Sequence, residues 1–327
     1  MEPCVQVKRH TPCIIGILIS TAMLGVISLL AAALCPIGPN TSVVIYHGNG
    51  ATSECRQWES DFYAWLGLEA VGITAAQLHD TSCGGRMKDL GVQIFAVPGG
   101  NAYDLQTSSG TMGKKHILAF IDANGTYVGT CAGAYFASSG YYWQMGETGG
   151  GHFNWPYLLG RFPEVEGSIT SIQDDAVPPG YKLTGVTTAS AVEAEGAEAT
   201  VSLHAIYWGG PTRGFKSLPK TGTPGTVLAT FSSVSGSLPA AWHVRDRQGT
   251  RLLFSAHFEA EEGIGIQGTG LTPEQTLANW QYRARMISDA ASLSVAIPSA
   301  RAPPSEEALA AWKGYTPAAS AHQAAPL

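Results

Sequence analysis

The sequence predicts an α/β protein on a doubly wound, mostly parallel, flavodoxin-like sheet, with antiparallel β added and a hydrophobic helix in front. Three observations predict it. Short apolar, β-branched runs alternate with helical patterns through the first half, as βαβ units do. Three of those runs end in Gly-rich turns: His47-Gly48-Asn49-Gly50, Pro98-Gly99-Gly100 and Gly129-Thr130-Cys131-Ala132-Gly133. Turns at such strand ends line the ligand crevice of a parallel sheet. The second half changes to partly alternating strands separated by Pro, Gly and Ser, which reads as antiparallel β.

The N-terminus carries a targeting segment over residues 1–37. Lys8, Arg9 and His10 precede an uncharged stretch from Thr11 to Ile37 whose apolar centre runs from Ile14 to Leu34. A bilayer-spanning helix needs about 20 apolar residues, so a retained signal anchor is expected. The alternative is a signal peptide cleaved near Ala31-Ala32-Ala33, which would give a secreted protein. The basic flank lies on the N-terminal side, which directs the folded part away from the cytosol. The expected location is a single-pass membrane protein with its domain outside the cytosol.

Composition agrees. The 327 residues are 45% hydrophobic and only 13% charged, with a net charge of -6, so no nucleic-acid partner is expected. Cys4, Cys13 and Cys35 belong to the targeting segment or its edges, and Cys131 lies in the third Gly-rich turn. That leaves Cys55 and Cys83 as the expected disulfide in an oxidising compartment, with two free thiols as the alternative. Asn40-Thr41-Ser42 and Asn124-Gly125-Thr126 are glycosylation sequons, at Asn40 and Asn124.

The elements follow in order. Val43–Tyr46 reads as the first buried strand. A helix capped near Thr52 or Ser53 carries Trp58, Phe62, Tyr63 and Trp65, and ends around Gly67. Ala70–Ile73 is a second strand and Val92–Val97 a third. Lys114–Asn124 is helical, with Ile117, Leu118, Phe120 and Ile121 at helical spacing, and the strand ending at Val128 follows. Tyr141–Gly151 is aromatic and Gly-rich and reads as a loop; Asp174–Ala199 is polar and turn-rich. Val201–Tyr207, Thr226–Phe231, Ala240–Val244 and Arg251–Ser255 are strands. Leu271–Ala291 is a helix with Thr272 as N-cap, Pro273 in the first turn and a stripe of Leu277, Trp280, Ala284 and Ile287. The Ala/Pro-rich tail, 298–327, is expected to be disordered or loosely attached.

The chemistry centres on Cys131. Gly129 and Gly133 flank it with the spacing of a strand-to-helix nucleophile elbow, where side chains at the flanking positions would collide with neighbouring chain. A thiol there sits at a helix N-terminus, whose free N–H groups can also hold an oxyanion. A thiol nucleophile needs a base, and the base an orienting acceptor. His257 and Glu259 follow the last strand with one residue between them, so both face one side of extended chain. His47, also after a strand, is the alternative base. A dinucleotide-binding reading of Gly48-Asn49-Gly50 lacks the third fingerprint glycine.

Val43–Gly50, Val97–Gly100, Gly129–Tyr135 and Ser255–Glu259 together resemble the class I glutamine amidotransferase fold. More narrowly, they are similar to the amidotransferase-like N-terminal domain of eukaryotic biotin-protein ligases. The resemblance spans roughly Ser42 to Gly263 and places an amidotransferase-like domain over 42–292. It implies a triad of Cys131 as nucleophile, His257 as base and Glu259 as orienter. The oxyanion hole would come from Gly99, Gly100 and the backbone at Ala132. One departure is Phe258, where class I amidotransferases usually carry Pro between the His and Glu. The sequence carries neither a synthetase partner nor a biotin-ligase catalytic domain, so the expected substrate is an amide or small peptide, cleaved through an acyl-thioester. No cofactor and no metal are expected. The alternative is a catalytically inactive binding or scaffold domain.

Overall fold

The computed structural model describes residues 35–143, 151–162, 164–167, 182–188, 201–211, 225–232, 238–246, 249–261 and 270–301. The unit that carries the fold begins at Pro36. The expected targeting segment up to residue 34 lies outside the described residues, as do residues 302–327 of the tail. Among the described residues no helix is long and apolar enough to cross a membrane.

Strands β1 (Val43–Tyr46), β2 (Ala70–Ile73), β3 (Ile94–Val97), β4 (Thr126–Thr130) and β12 (Gly249–Phe254) form the parallel half of a sheet in the order β2-β1-β3-β4-β12. Four more strands continue the same sheet antiparallel: β11 (Pro239–Asp246), β10 (Gly225–Phe231), β8 (Lys182–Thr188) and β9 (Ser202–Tyr207). Both the parallel α/β core and the added antiparallel β are therefore present. Strands β1, β3, β4 and β12 are buried at every position, as expected where helices cover both faces.

Alternation along each strand sorts the two faces. Val43, Ile45, Ile94, Ala96, Val128, Leu252 and Phe254 pack with helices α1 (Ser53–Trp65) and α5 (Pro273–Ala291) through Phe62, Tyr63, Trp280 and Ile287. On the other face Phe95 meets Phe120 of helix α3 (Ala102–Asp122) at a centroid distance of 6.4 Å. Capping fixes where the helices begin. Thr52 accepts from Cys55 N, Asn101 from Tyr103 N and Asp104 N, and Thr272 forms a capping box with Gln275. A short helix α2 (Ala75–His79) and a six-residue α4 (Ala132–Ala137) complete the set.

Three stretches depart from expectation. Helical structure begins at Ala102, twelve residues before Lys114: α3 is two helical segments joined across a kink at Gly110, whose φ 54° and ψ -171° are not helical. The aromatic stretch after Gly140 is not simply a loop. It contributes β5 (Tyr141–Trp143), which pairs with β6 (Gly151–Phe153) and β7 (Val165–Gly167) in a separate small sheet. Stacking of Tyr141 on Phe153, at 5.2 Å, supplies the cross-strand contact. Strand β8 lies inside the polar stretch, paired on both sides, so tertiary pairing overrides a weak local pattern.

The start of the tail is fastened. Arg301 Nη1 donates to Glu261 Oε1 at 2.8 Å with its guanidinium over Trp280, and Trp65 Nε1 donates to the Ala300 carbonyl at 3.0 Å. The expected Cys55–Cys83 bridge does not form: Cys55 is a free buried thiol, whereas Cys83 and Cys35 are disulfide-bonded. The reason is the helix face. Cys55 lies on the side of α1 that turns inward with Trp58, against Ile206, Ala260 and Leu271. Asn40 and Asn124 are both exposed.

Candidate active site

Strand β4 delivers Cys131. Its amide donates to the Phe254 carbonyl at 2.8 Å, continuing the pairing with β12 one residue past the strand end. Its backbone then turns sharply, to φ 51° and ψ -107°. A residue with a Cβ in that region costs about 1–3 kcal/mol and persists only where its surroundings fix it. Here Ala134 N and Tyr135 N both donate to the Cys131 carbonyl, at 3.0 and 3.2 Å. The flanking glycines are needed by close approach. A Cβ on Gly129 would lie 2.6 Å from the Gly133 carbonyl oxygen, and one on Gly133 would meet the Val97 carbonyl. These contacts give the elbow the shape expected of a nucleophile turn.

Strand β12 delivers His257 and Glu259, both fully buried. The His257 amide donates to the Ile206 carbonyl at 2.8 Å, so the outermost strand β9 curls back to the exit of β12. His257 Nδ1 lies 2.8 Å from Glu259 Oε1. That bond puts the ring proton on Nδ1 and leaves the Nε2 lone pair for another group. Nε2 is buried without a hydrogen-bond partner. Trp58 packs edge-on to the imidazole at 5.8 Å and Trp208 at 6.3 Å.

Gly99 shows how closely these groups converge. A Cβ there would strike His257 Cε1 and sit 2.9 Å from Cys55 Sγ and 3.3 Å from Cys131 Cβ. Gly100, at φ 148°, pairs with Ala51, and Thr52 N donates to the Gly99 carbonyl at 3.1 Å. The turn after β3 is thus pinned beside the thiol, and α4 starts at Ala132 on the thiol's other side. Cys131 itself is 5% exposed, and its Sγ donates to the Trp208 carbonyl at 3.2 Å. His47 is placed differently. It packs over Gly72 with its carbonyl held by Arg56, and among the described residues no hydrogen bond joins it to Cys131.

Behind Glu259 lies an ionic cluster that the sequence motifs do not announce. Arg283 Nη1 donates to Glu259 Oε2 at 2.6 Å and Nη2 to Glu59 Oε1 at 2.6 Å, with all three side chains fully buried. Thr130, the residue before the nucleophile, places its hydroxyl 3.2 Å from Glu59 Oε1 and 3.3 Å from Arg283 Nη2. Phe62 and Phe254 lie 4.9 and 5.0 Å from the guanidinium. A signal for this cluster did exist. Arg283 sits three residues after Trp280 and four before Ile287 on the inward face of α5, and Glu59 lies between Cys55 and Tyr63 on the inward face of α1. Opposite charges on two core-facing stripes mark a buried pair.

The electrostatics follow from burial and these partners. Burial alone would strip the proton from His257, but the neighbouring Cys55 and Glu259 and the Cys131 thiol outweigh it and hold the imidazole well above its usual range. Burial also pushes the Cys55 thiol up, against the pull of His257. Against its own burial, Glu259 is held below the usual carboxylate range by Arg283 and His257. Glu59 is pushed up, first by burial and then by Glu259, against the pull of Arg283. Among the described residues no group of His, Cys, Asp and Glu is arranged to hold a metal ion.

Fold and site together define the class: an amidotransferase-like α/β domain, with a cysteine elbow after β4 and a His-x-Glu after β12. Residues 41–279 match the family described as biotin-protein ligase, N terminal, and the chain belongs to that family. No curated protein matches the chain. Among solved structures it is similar to PurLQS from Thermotoga maritima, at 12% identity over 67% of this chain and 88% of that one, with a TM-score of 0.42. It is also similar to a putative GMP synthase subunit from Thermoplasma acidophilum, at 14% identity over 76% and 98%, TM-score 0.39. A putative ThuA-like protein from Bacteroides uniformis matches at 12% identity over 79% and 93%, TM-score 0.45.

Proposed function

We propose that this domain is a thiol-dependent amide hydrolase, held outside the cytosol by its N-terminal segment or released there after cleavage. One observation carries the catalytic part: a cysteine in a strained elbow shares the space around Gly99 with an imidazole already oriented by a buried carboxylate. In this reading the Cys131 sulfur attacks the carbonyl carbon of an amide or small peptide, and His257 Nε2 takes the thiol proton. The carbonyl oxygen becomes an oxyanion facing the backbone at Gly99, Gly100 and Ala132. Collapse breaks the C–N bond, and His257 returns the proton to the departing amine. Water, deprotonated by the same imidazole, then cleaves the acyl-thioester and regenerates the thiol. The basic flank at Lys8-Arg9 and the disulfide-bonded state of Cys35 and Cys83 support the extracytoplasmic location.

The test is labelling by a thiol-directed electrophile, with the modified residue mapped by mass spectrometry. Cys131 should take the label, and both Cys131→Ala and His257→Ala should remove most of it while Cys55 stays unlabelled. Equal labelling of the wild type and Cys131→Ala would refute the proposal. One observation favours a second reading, a non-catalytic binding domain: the thiol is nearly covered and its proton is engaged by the Trp208 carbonyl. That reading expects labelling to be indifferent to His257.

A further inference from the structure

The ionic cluster behind the triad has more charge than holding two helices together requires. Glu59, on α1, and Glu259, after β12, share one guanidinium, Arg283 of α5, and all three are fully buried. A buried ion pair is costly to desolvate, and apolar side chains of similar volume hold helices as well or better. A third charged group without its own counter-ion is costlier still. Two carboxylates against one guanidinium leave one negative charge to be balanced by a proton, which can sit on Glu59 or on His257.

The ion contact favours an ionised Glu59. Glu59 Oε1 accepts from Arg283 Nη2 at 2.6 Å and faces the Thr130 hydroxyl. Glu59 Oε2 and His257 Nε2 are both buried without a hydrogen-bond partner, so that feature does not separate them. His257 holds Glu259 on Nδ1, and its ring lies beside the Cys131 thiol, from which Nε2 takes a proton in the reading above. The titratable and charged groups facing the imidazole are Cys55 from α1, Cys131 from the elbow and Glu259. Those facing Glu59 are Arg283, Glu259 and the Tyr63 phenol of α1. Burial of Glu59 argues for protonating it; its contact with the guanidinium argues the other way. The cluster also ends on Thr130, the residue bonded to the nucleophile, so it touches the site from two sides.

We propose that Glu59, acting through Arg283, is a positioning residue of this site: it fixes the Glu259 carboxylate against His257 and supplies a negative charge that stabilises the imidazolium formed when His257 takes the thiol proton. The proposal rests on the Cys131–His257–Glu259 reading but is tested without turnover. The test is NMR titration of the histidine ring protons in the full chain, with His257 assigned by comparison with His257→Gln. Glu59→Gln keeps the amide oxygen on Arg283 and removes the charge. It should lower the midpoint of His257 by about one pH unit, the scale of one unit charge acting at close range through protein. Glu59→Asp, which retains the charge, should leave the midpoint near wild type. Thr130→Val withdraws only a hydroxyl from Glu59; it should shift the midpoint the same way by less, and it serves if the Gln variant does not fold. An unmoved midpoint in a folded Glu59→Gln or Thr130→Val protein would overturn the proposal, as would equal shifts for Gln and Asp. A Cys131 that electrophiles ignore would instead defeat the hydrolase reading and leave the titration to be judged separately.

Discussion

Replacing Arg283 by Met tests whether the buried cluster is integral to the fold as well as to the site. The substitution removes the only guanidinium that contacts Glu59 and Glu259 among the described residues, and both carboxylates are fully buried. Breaking a buried pair from one side costs about 3–5 kcal/mol, because the remaining charge is left uncompensated. Two carboxylates are stranded here, but one of them can escape by taking up a proton, so about 4 kcal/mol at neutral pH is the working figure. Against a typical stability of about 5–15 kcal/mol that is a large share, and it corresponds to a fall of roughly 10 °C in Tm for a domain of this size. The pH dependence has a definite sign. Without Arg283 the folded carboxylates hold protons more tightly than the unfolded chain does, so the penalty vanishes below the unfolded carboxylate range, about pH 4, and grows as pH rises. In the wild type, Glu259 is held low and contributes in the same direction, its stabilisation being lost as pH falls. Urea unfolding of the full chain at pH 4.5 and 7.5, followed by circular dichroism and tryptophan fluorescence, measures the gap. It should be several-fold larger at the higher pH. A gap below about 1 kcal/mol at pH 7.5, or one that ignores pH, would show that the cluster is not under the electrostatic load described.

Two further substitutions probe the site's crowding. Gly99→Ala drives a methyl group into His257 Cε1 and to within 2.9 Å of Cys55 Sγ, so it should cost about 1–3 kcal/mol by urea denaturation and abolish electrophile labelling of Cys131. Labelling at the wild-type rate would mean that the imidazole does not sit beside the thiol in solution. Trp208→Ala removes the ring that packs against His257 while leaving the carbonyl that accepts from Cys131 Sγ. The rate of Cys131 labelling should rise several-fold, with the label still on Cys131; a fall would mean that Trp208 positions the imidazole rather than covers it.

The legible parts of the sequence were those written in local physics. The strands around the elbow are short β-branched or apolar runs, and the Gly129 and Gly133 pair follows from backbone contacts that a Cβ would violate. The two-residue period of extended chain predicts that His257 and Glu259 share a side; their 2.8 Å contact is made instead in a turn past the end of β12, where Ala260 N donates to the His257 carbonyl. What was not legible depended on partners distant in sequence. Strand β8 is specified by β9 and β10 on its two sides, and nothing in its own polar surroundings announces it. Cysteine counting makes Cys55 half of a bridge because it ignores which way a helix face turns; the inward face of α1 puts the sulfur 3.9 Å from His257 Nδ1. Glu59 and Arg283 are 224 positions apart, and only the two core-facing stripes, read together, would have paired them.

The Phe258 departure resolves on how this segment turns. Phe258 and Glu259 lie in a turn past the end of β12, with Ala260 N donating to the His257 carbonyl at 3.4 Å. Phe258 is fully buried, with its ring 5.7 Å from Phe254 and 5.4 Å from Tyr282 of α5. A proline at that position would constrain the backbone between the imidazole and the acid by fixing φ. Here the same segment is constrained from outside: the His257 amide is tied to Ile206, the Glu259 carbonyl accepts from Trp280 Nε1 at 3.0 Å, and the Phe258 ring is packed beneath. Three tertiary contacts therefore do what one ring closure does elsewhere, and the acid reaches the imidazole regardless. The residue that departs from the amidotransferase pattern is thus a core residue, and its identity bears on how α5 packs rather than on whether His257 and Glu259 can meet.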